Sequence, residues 1–288
     1  MTGFGEPCGR ALTSHPMVDK VAFTGGVDTA RHVVANTAHN LAPVTLELGG
    51  KSPILVFDDA DFEGAVNGAV AGNFGASGQS CVAGSRVFVQ SGVHEQFVEE
   101  VVRRAETIRI CDPLADDTEM GPLATRAQRD RIEAVVAESV DQGAILYTGG
   151  CRPEGLNTGW YYRPTVLGCA DQDVRSTRVE LFGPVMSVLR FDTEDEAVAL
   201  ANDTEFGLGA GIFTRDVSRV HRVARAIRSG IVWVNTYRAI SPIAPFGGFG
   251  NSGSGREAGV DAIHEFTTTK TVWINTSTEP MSNPFTIR

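Results

Sequence analysis

One cysteine sits in a setting unlike the others. The stretch FGASGQSCVAGSR (74–86) surrounds Cys81 with small residues, with Gln79 and Ser80 just before it and Arg86 soon after. Free cysteines are mostly small buried hydrophobes, and a reactive one needs an accessible environment that favours the thiolate. Gly78, Gln79, Ser80 and Gly84 allow close backbone approach and supply donors, which is how a thiolate or an oxyanion is held. Cys8, Cys111, Cys151 and Cys169 lack such surroundings. Upstream, LELGGKSP (46–53) puts Glu47 at the end of an apolar run. A carboxylate buried there either pairs with an arginine or shifts its pKa toward neutrality, which suits a general base. These residues alone leave both readings open.

Two further stretches offer sites for a ligand. FTGGVDTAR (23–31) reads as a strand ending at Thr24-Gly25-Gly26 where a helix begins, leaving free backbone N–H groups and a positive dipole end for a pyrophosphate. Taken alone it reads as a plain strand-to-helix turn. VELFGPVMSV (179–188) offers Glu180 and Phe182 in a loop entering a strand, stiffened by Pro184. GFGEPCG (3–9) has the spacing G-x-G-x-x-x-G with only Met1 and Thr2 ahead of it, so no strand feeds it and it reads as a glycine turn. GREAG (255–259) resembles a helix start and receives no chemistry.

The elements that must position these residues alternate. KVAFTGG, APVTLELGG, SPILVF, SRVFVQ, AILYTGG, PVMSVLRF, LGAGIFT and IVWVNTY read as strands, separated by helical stretches such as VHEQFVEEVVRRAETI with apolar residues on one face. CRPEGLNTGWYYRPTVL (151–167) reads as a Gly/Pro-rich loop. The alternation implies an α/β fold of parallel, doubly wound sheets with helices on both faces. HEFTTTKTVWIN (264–275) alternates as an exposed strand would, and a bare strand edge invites pairing with another subunit.

Composition narrows the class. A chain of 288 residues with 42% hydrophobic content buries real cores, and a net charge of −10 argues against binding a phosphate backbone, so no nucleic-acid partner is expected. Five cysteines fit neither a metal spacing nor a disulfide framework, which points to reduced thiols, a cytoplasmic location and no metal site. No apolar run long enough for a membrane span or secretory leader is present.

Together these stretches resemble the aldehyde dehydrogenase superfamily. HPMVDKVAFTGG, VTLELGGKSP, FGASGQSCVAGSR, CDPLADDTEMGPL, ELFGPV, GIVWVN, PFGGFGNSGSGREAG and TKTVWIN occur in the family's order, and LELGGK and GQxC are specific signatures. The resemblance implies oxidation of an aldehyde to a carboxylic acid with NAD or NADP, through a thiohemiacetal and then a thioester on Cys81. It assigns Cys81 as nucleophile and Glu47 as general base. It places Gly25, Gly26, Leu48, Glu180 and Phe182 at the cofactor, with Gly26 where the family more often has Ser. The loop NTYRAISPIAP, with Tyr237, Arg238 and Ile240, becomes a wall of the substrate pocket.

The resemblance also carries expectations about extent. Family members usually have about two hundred further residues ahead of the GFG stretch, judged by length, including a Pro-Trp-Asn segment and an adenosine-binding Lys that do not occur here. The chain is therefore expected to be a C-terminal portion: a partial cofactor-binding domain (1–49), a catalytic domain (50–252) and a C-terminal segment with an oligomerisation strand (253–288), assembled as a homo-oligomer, a dimer or tetramer. Two alternatives stand beside the enzyme: a cofactor-deficient structural or assembly module, and a cysteine-dependent ester hydrolase.

Overall fold

The structure, a computed structural model, describes residues 2–286. In chain order its elements are α1 (Arg10–Thr13), β1 (Val21–Thr24), α2 (Val27–Thr37), β2 (Val44–Glu47), β3 (Pro53–Val56), α3 (Phe62–Phe74), β4 (Arg86–Gln90), α4 (His94–Thr107), α5 (Arg126–Asp141), β5 (Ile145–Thr148), β6 (Thr165–Gly168), α6 (Arg175–Arg178), β7 (Val185–Phe191), α7 (Glu194–Asn202), β8 (Gly209–Phe213), α8 (Val217–Ala226), β9 (Ile231–Val234), β10 (Gly253–Ser254) and α9 (Ala262–Glu265).

Seven strands form one sheet in the order β5-β6-β7-β4-β3-β8-β9. All neighbours run parallel except β5, which is antiparallel to β6. The apolar runs of β3 and β4 carry no polar alternation because both faces are covered. Successive side chains point to opposite sides, so one strand feeds two cores. Leu55, Phe57 and Phe88 pack with Ile132 and Val136 of α5, Ala197 of α7 and Val223 of α8. Ile54, Val56, Val87 and Val89 pack with Ala65 and Ala69 of α3 and Phe97 and Val101 of α4. Helix starts are capped where the sequence supplies an acceptor: Thr125 Oγ1 accepts from Gln128 N, and Asp216 accepts from Ser218 N and Arg219 N.

A second sheet has the order β1-β2-β10. β1 and β2 are parallel, with Thr24 opposite Glu47, and α2 links them while burying Ala30, Val33 and Thr37 along one face. The expectation of a partial cofactor-binding domain is corrected here. The two parallel strands are not a bare remnant, because β10 pairs antiparallel with the open edge of β2, Gly253 opposite Glu47. Gly253 is required for this approach: at φ +123 its Cβ would lie 1.9 Å from Leu46 O. The fold class stays α/β, but both sheets are mixed rather than wholly parallel.

Two local expectations also change. β6 lies inside the stretch read as a loop; its TVLG segment is buried between β5 and β7, and Pro164 precedes it without interrupting the ladder. Residues 264–275, where the oligomerisation strand is expected, hold the end of α9 and then a segment with no ladder partner within this one chain. GREAG is not a helix start: Phe246 and Glu257 exchange backbone hydrogen bonds as an isolated antiparallel bridge. No helix among the described residues is long and apolar enough to cross a membrane.

Candidate active site

α3 runs straight into the Cys81 turn and is stopped by Gly75, whose ψ of 138° leaves the helical region. Ala76, Ser77 and Gly78 then take φ of +55°, +56° and +70°. Such values are strained for Ala and Ser, and persist where surrounding contacts over-determine them. Those contacts are present: Ser77 Oγ donates to Gly121 O (2.9 Å) and Gln79 Oε1 accepts from Ala124 N (2.8 Å). Only glycine fits at 78, where a Cβ would meet Gly183 O at 2.1 Å. The turn is thereby pressed against the Glu180–Pro184 loop.

Cys81 is half-buried at the head of this turn. Burial pushes its thiol above the ordinary range, the Glu180 carboxylate adds to that, and backbone N–H groups of Val82 and Cys81 oppose it. Those two N–H groups are also donors for negative charge developing on an atom bonded to the sulfur. Glu47 ends β2 and is 4% exposed, with no hydrogen-bond partner for either carboxyl oxygen. Burial and then the Glu257 charge raise its pKa, against the pull of Arg256, to about 7. A carboxyl poised near neutrality takes and returns protons at physiological pH.

Glu180 reaches across from the β7 entry loop, its Oε1 accepting from Gly50 N (3.1 Å). Burial raises its pKa against the pull of that N–H group and of Lys51. Lys51 itself is 1% exposed, its Nζ has no hydrogen-bond partner, and burial next to Arg86 lowers its pKa to about 7. Phe182 adopts φ +51°, and Gln128 of α5 fixes it by donating to the carbonyls of Leu181 and Phe182.

The seven residues assigned to catalysis and cofactor from the sequence line one cavity of about 550 Å³: Gly25, Gly26, Glu47, Leu48, Cys81, Glu180 and Phe182. Gly49 and Gln128 share its wall and were not anticipated; Glu257, which acts on Glu47, lay in the stretch given no chemistry. A second cavity of about 510 Å³ shares Gly26 and Glu180 and continues past the start of α2 to Arg31, Arg131 and Asn251. The α2 N-terminus has no side-chain cap, and Gly26 leaves open space where a Cβ would stand. These are the features a dinucleotide phosphate needs. Tyr237 and Arg238 lie outside both cavities, with Tyr237 Oη donating to Val82 O (2.9 Å). Among the described residues no cluster of three or more metal-ligating side chains occurs.

Comparison with known proteins settles the relationship. A profile described as the aldehyde dehydrogenase family matches residues 1–272. The chain belongs to the aldehyde dehydrogenase family. It is 52% identical to (Z)-2-((N-methylformamido)methylene)-5-hydroxybutyrolactone dehydrogenase of Acinetobacter baylyi, over 100% of this chain and 59% of the relative. It is 47% identical to betaine aldehyde dehydrogenase of Brucella anthropi, over 94% of this chain and 56% of the relative. A crystal structure of a betaine aldehyde dehydrogenase double mutant from Staphylococcus aureus, in complex with NAD+, superposes with a TM-score of 0.96 at 38% identity, covering 99% of this chain and 58% of that one.

The chain thus spans somewhat over half the length of these aldehyde dehydrogenases. The reading of the resemblance as a C-terminal portion with a partial cofactor domain is corrected by the same alignments. The family match begins at residue 1, inside the segment expected to be a remnant, and the Acinetobacter relative aligns with the whole chain.

Proposed function

We propose that this chain is an NAD- or NADP-dependent aldehyde dehydrogenase that oxidises an aldehyde to a carboxylic acid. The observation that carries this reading is the convergence of Cys81, Glu47, Glu180, Phe182 and the uncapped α2 start on one cavity. Gly25 and Gly26 would take the pyrophosphate, Glu180 the nicotinamide ribose hydroxyls, and Leu48 and Phe182 the flanks of the nicotinamide. Bound NAD(P)+ supplies the hydride acceptor.

The chain's own residues do the rest. Cys81 Sγ loses its proton, directly or through a water, to Glu47 and attacks the carbonyl carbon; a C–S bond forms as the carbonyl π pair moves onto oxygen, toward the N–H groups of Cys81 and Val82. The site must favour or generate the thiolate, because burial and Glu180 disfavour it at rest. Once the carbon stands at the thioester level, Glu47 removes a proton from an attacking water, the C–S bond breaks, and Cys81 leaves with the electron pair. A base poised near neutrality suits both steps.

The relatives are named for different substrates, a hydroxybutyrolactone and betaine aldehyde, so the substrate is assigned only as an aldehyde. We divide the chain as 1–49 with the dinucleotide, 50–252 with catalysis and 253–288 with assembly. Exposed Val272, Trp273 and Ile274 (69, 93 and 79%) support assembly with copies of the same chain. Five unpaired cysteines support a cytoplasmic location. The test is substitution: Cys81→Ala abolishes aldehyde-dependent cofactor reduction while Cys151→Ala, altering an exposed cysteine, leaves it intact. Equal loss in both removes Cys81 from the nucleophile's role.

A further inference from the structure

The face of the Cys81 turn opposite the dinucleotide cavity is built by the loop after β9. Trp233 Nε1 donates to Ala239 O (2.8 Å), and the Trp233 and Tyr237 rings meet at 4.8 Å, tilted by 54°. Tyr237 is wedged against Gly72, Gly84 and Gly211, each of which lacks room for a Cβ, and its hydroxyl holds the carbonyl of Val82, the residue after Cys81. Arg238 follows at φ +61°, a conformation that non-glycine residues seldom take. Its Nη1 stands where a Cβ on Gly75 would come within 2.6 Å, at the first residue of the turn that carries Cys81. Tyr237 and Arg238 therefore span the turn from one end to the other.

The charge of Arg238 is unspent. Among the described residues its side chain makes one hydrogen bond, Nη1 to Ala71 O at 3.3 Å, and enters no ion pair. It is half-buried, so the guanidinium is reached from solvent with most of its five N–H donors free. By contrast Arg86, Arg129 and Arg219 are tied to acceptors or carboxylates. A partly desolvated guanidinium without a counter-ion recognises planar anions, carboxylates above all, by paired N–H contacts.

We propose that Arg238 makes Cys81 selective for aldehydes that carry a carboxylate, held on the face of the turn away from the dinucleotide. The proposal rests on the reading of Cys81 as the nucleophile and goes beyond it by naming the charge of the substrate's far end. Neutral aldehydes lack the contact, and aldehydes ending in a quaternary ammonium are repelled.

Alkylation of the intact 288-residue chain tests this without cofactor or turnover. Iodoacetate and iodoacetamide share one reaction, in which the thiolate forms an S–C bond as the C–I bond breaks and iodide leaves, and they differ in charge. Rates are read at Cys81 and at exposed Cys151 by peptide mass spectrometry. The iodoacetate to iodoacetamide rate ratio is expected to be higher at Cys81 than at Cys151. It should fall on the order of tenfold in Arg238→Gln, the scale of one charge-assisted hydrogen bond, and recover in Arg238→Lys. An unchanged ratio in Arg238→Gln, with the iodoacetamide rate intact, overturns the anion selectivity alone. Iodoacetamide that labels Cys151 and leaves Cys81 unlabelled even at alkaline pH overturns the nucleophile itself, and the proposal with it.

Discussion

Glu180 and Gly50 are joined by a hydrogen bond from the Gly50 N–H to Glu180 Oε1 (3.1 Å), across 130 residues of chain. This contact ties the β7 entry loop to the β2–β3 connection, and so ties the expected ribose carboxylate to the backbone that follows Glu47. The two glycines of LELGGK serve it differently. A Cβ on Gly49 would lie 2.0 Å from Glu180 Oε2, the free end of a flexible side chain, whereas a Cβ on Gly50 would lie 2.6 Å from the Cys81 carbonyl oxygen.

Gly49→Ala is therefore expected to displace Glu180 without unfolding the protein, weakening NAD(P)+ binding by about tenfold, one lost charge-assisted contact. Gly50→Ala forces a methyl against the Cys81 backbone carbonyl, which cannot swing away, and should cost about 1–3 kcal/mol, as overpacking does. Urea unfolding and calorimetric titration with the nucleotide separate the two. Equal stability loss in both variants contradicts the assignment.

Glu47 gives a pH signature with a definite sign. Its folded pKa of about 7 exceeds the unfolded value of 4.5, so the folded state holds the extra proton between those limits. Stability falls as pH rises through that window. Glu47→Gln should match the parent near pH 4.5, become progressively more stable relative to it toward pH 7, and hold that margin above. The deacylation rate should show the opposite benefit, rising through pH 7 in the parent and losing that limb in the variant. Denaturant midpoints and pH–rate profiles check both.

Cys81 should alkylate with a midpoint above the ordinary thiol range, because burial and then Glu180 oppose the thiolate. Glu180→Gln removes that charge and is expected to move the iodoacetamide pH–rate midpoint downward. An unmoved midpoint shows that the two groups do not interact.

Gln128→Ala deletes the donor to the Leu181 and Phe182 carbonyls while α5 keeps its Thr125 cap. Phe182 then loses the brace on its left-handed backbone. KM for the nucleotide should rise several-fold, within the range for a neutral hydrogen bond, with the urea midpoint little changed. A normal KM removes Gln128 from the site.

The site residues were legible because each carries a local signature: a thiol among glycines, a carboxylate ending an apolar strand, a glycine turn opening a helix. Gln128 carries none, since it is one polar residue on an amphipathic helix and gains its role only when α5 meets the Phe182 loop. β6 was hidden by flanking Gly and Pro, and its strand character comes from filling the slot between β5 and β7. β10 is two residues long and exists only because Gly253 admits the β2 edge from across the sequence. Glu257 was unreadable for the same reason, its effect on Glu47 arising from a distant bridge to Phe246. Residues 264–275 show the converse: their polar-apolar alternation is real, but alternation without a neighbouring ladder makes no strand within one chain.

The central claim is that Cys81 is the nucleophile of an aldehyde oxidation carried out in this cavity. Stopped-flow absorbance at the reduced-nicotinamide band, on mixing the chain with NAD+ or NADP+ and, in parallel, a neutral aliphatic aldehyde and one ending in a carboxylate, tests it most directly. The account predicts a burst of reduced cofactor stoichiometric with Cys81 and absent from Cys81→Ala. A burst that survives in Cys81→Ala, or none from the folded chain at saturating cofactor, would contradict it.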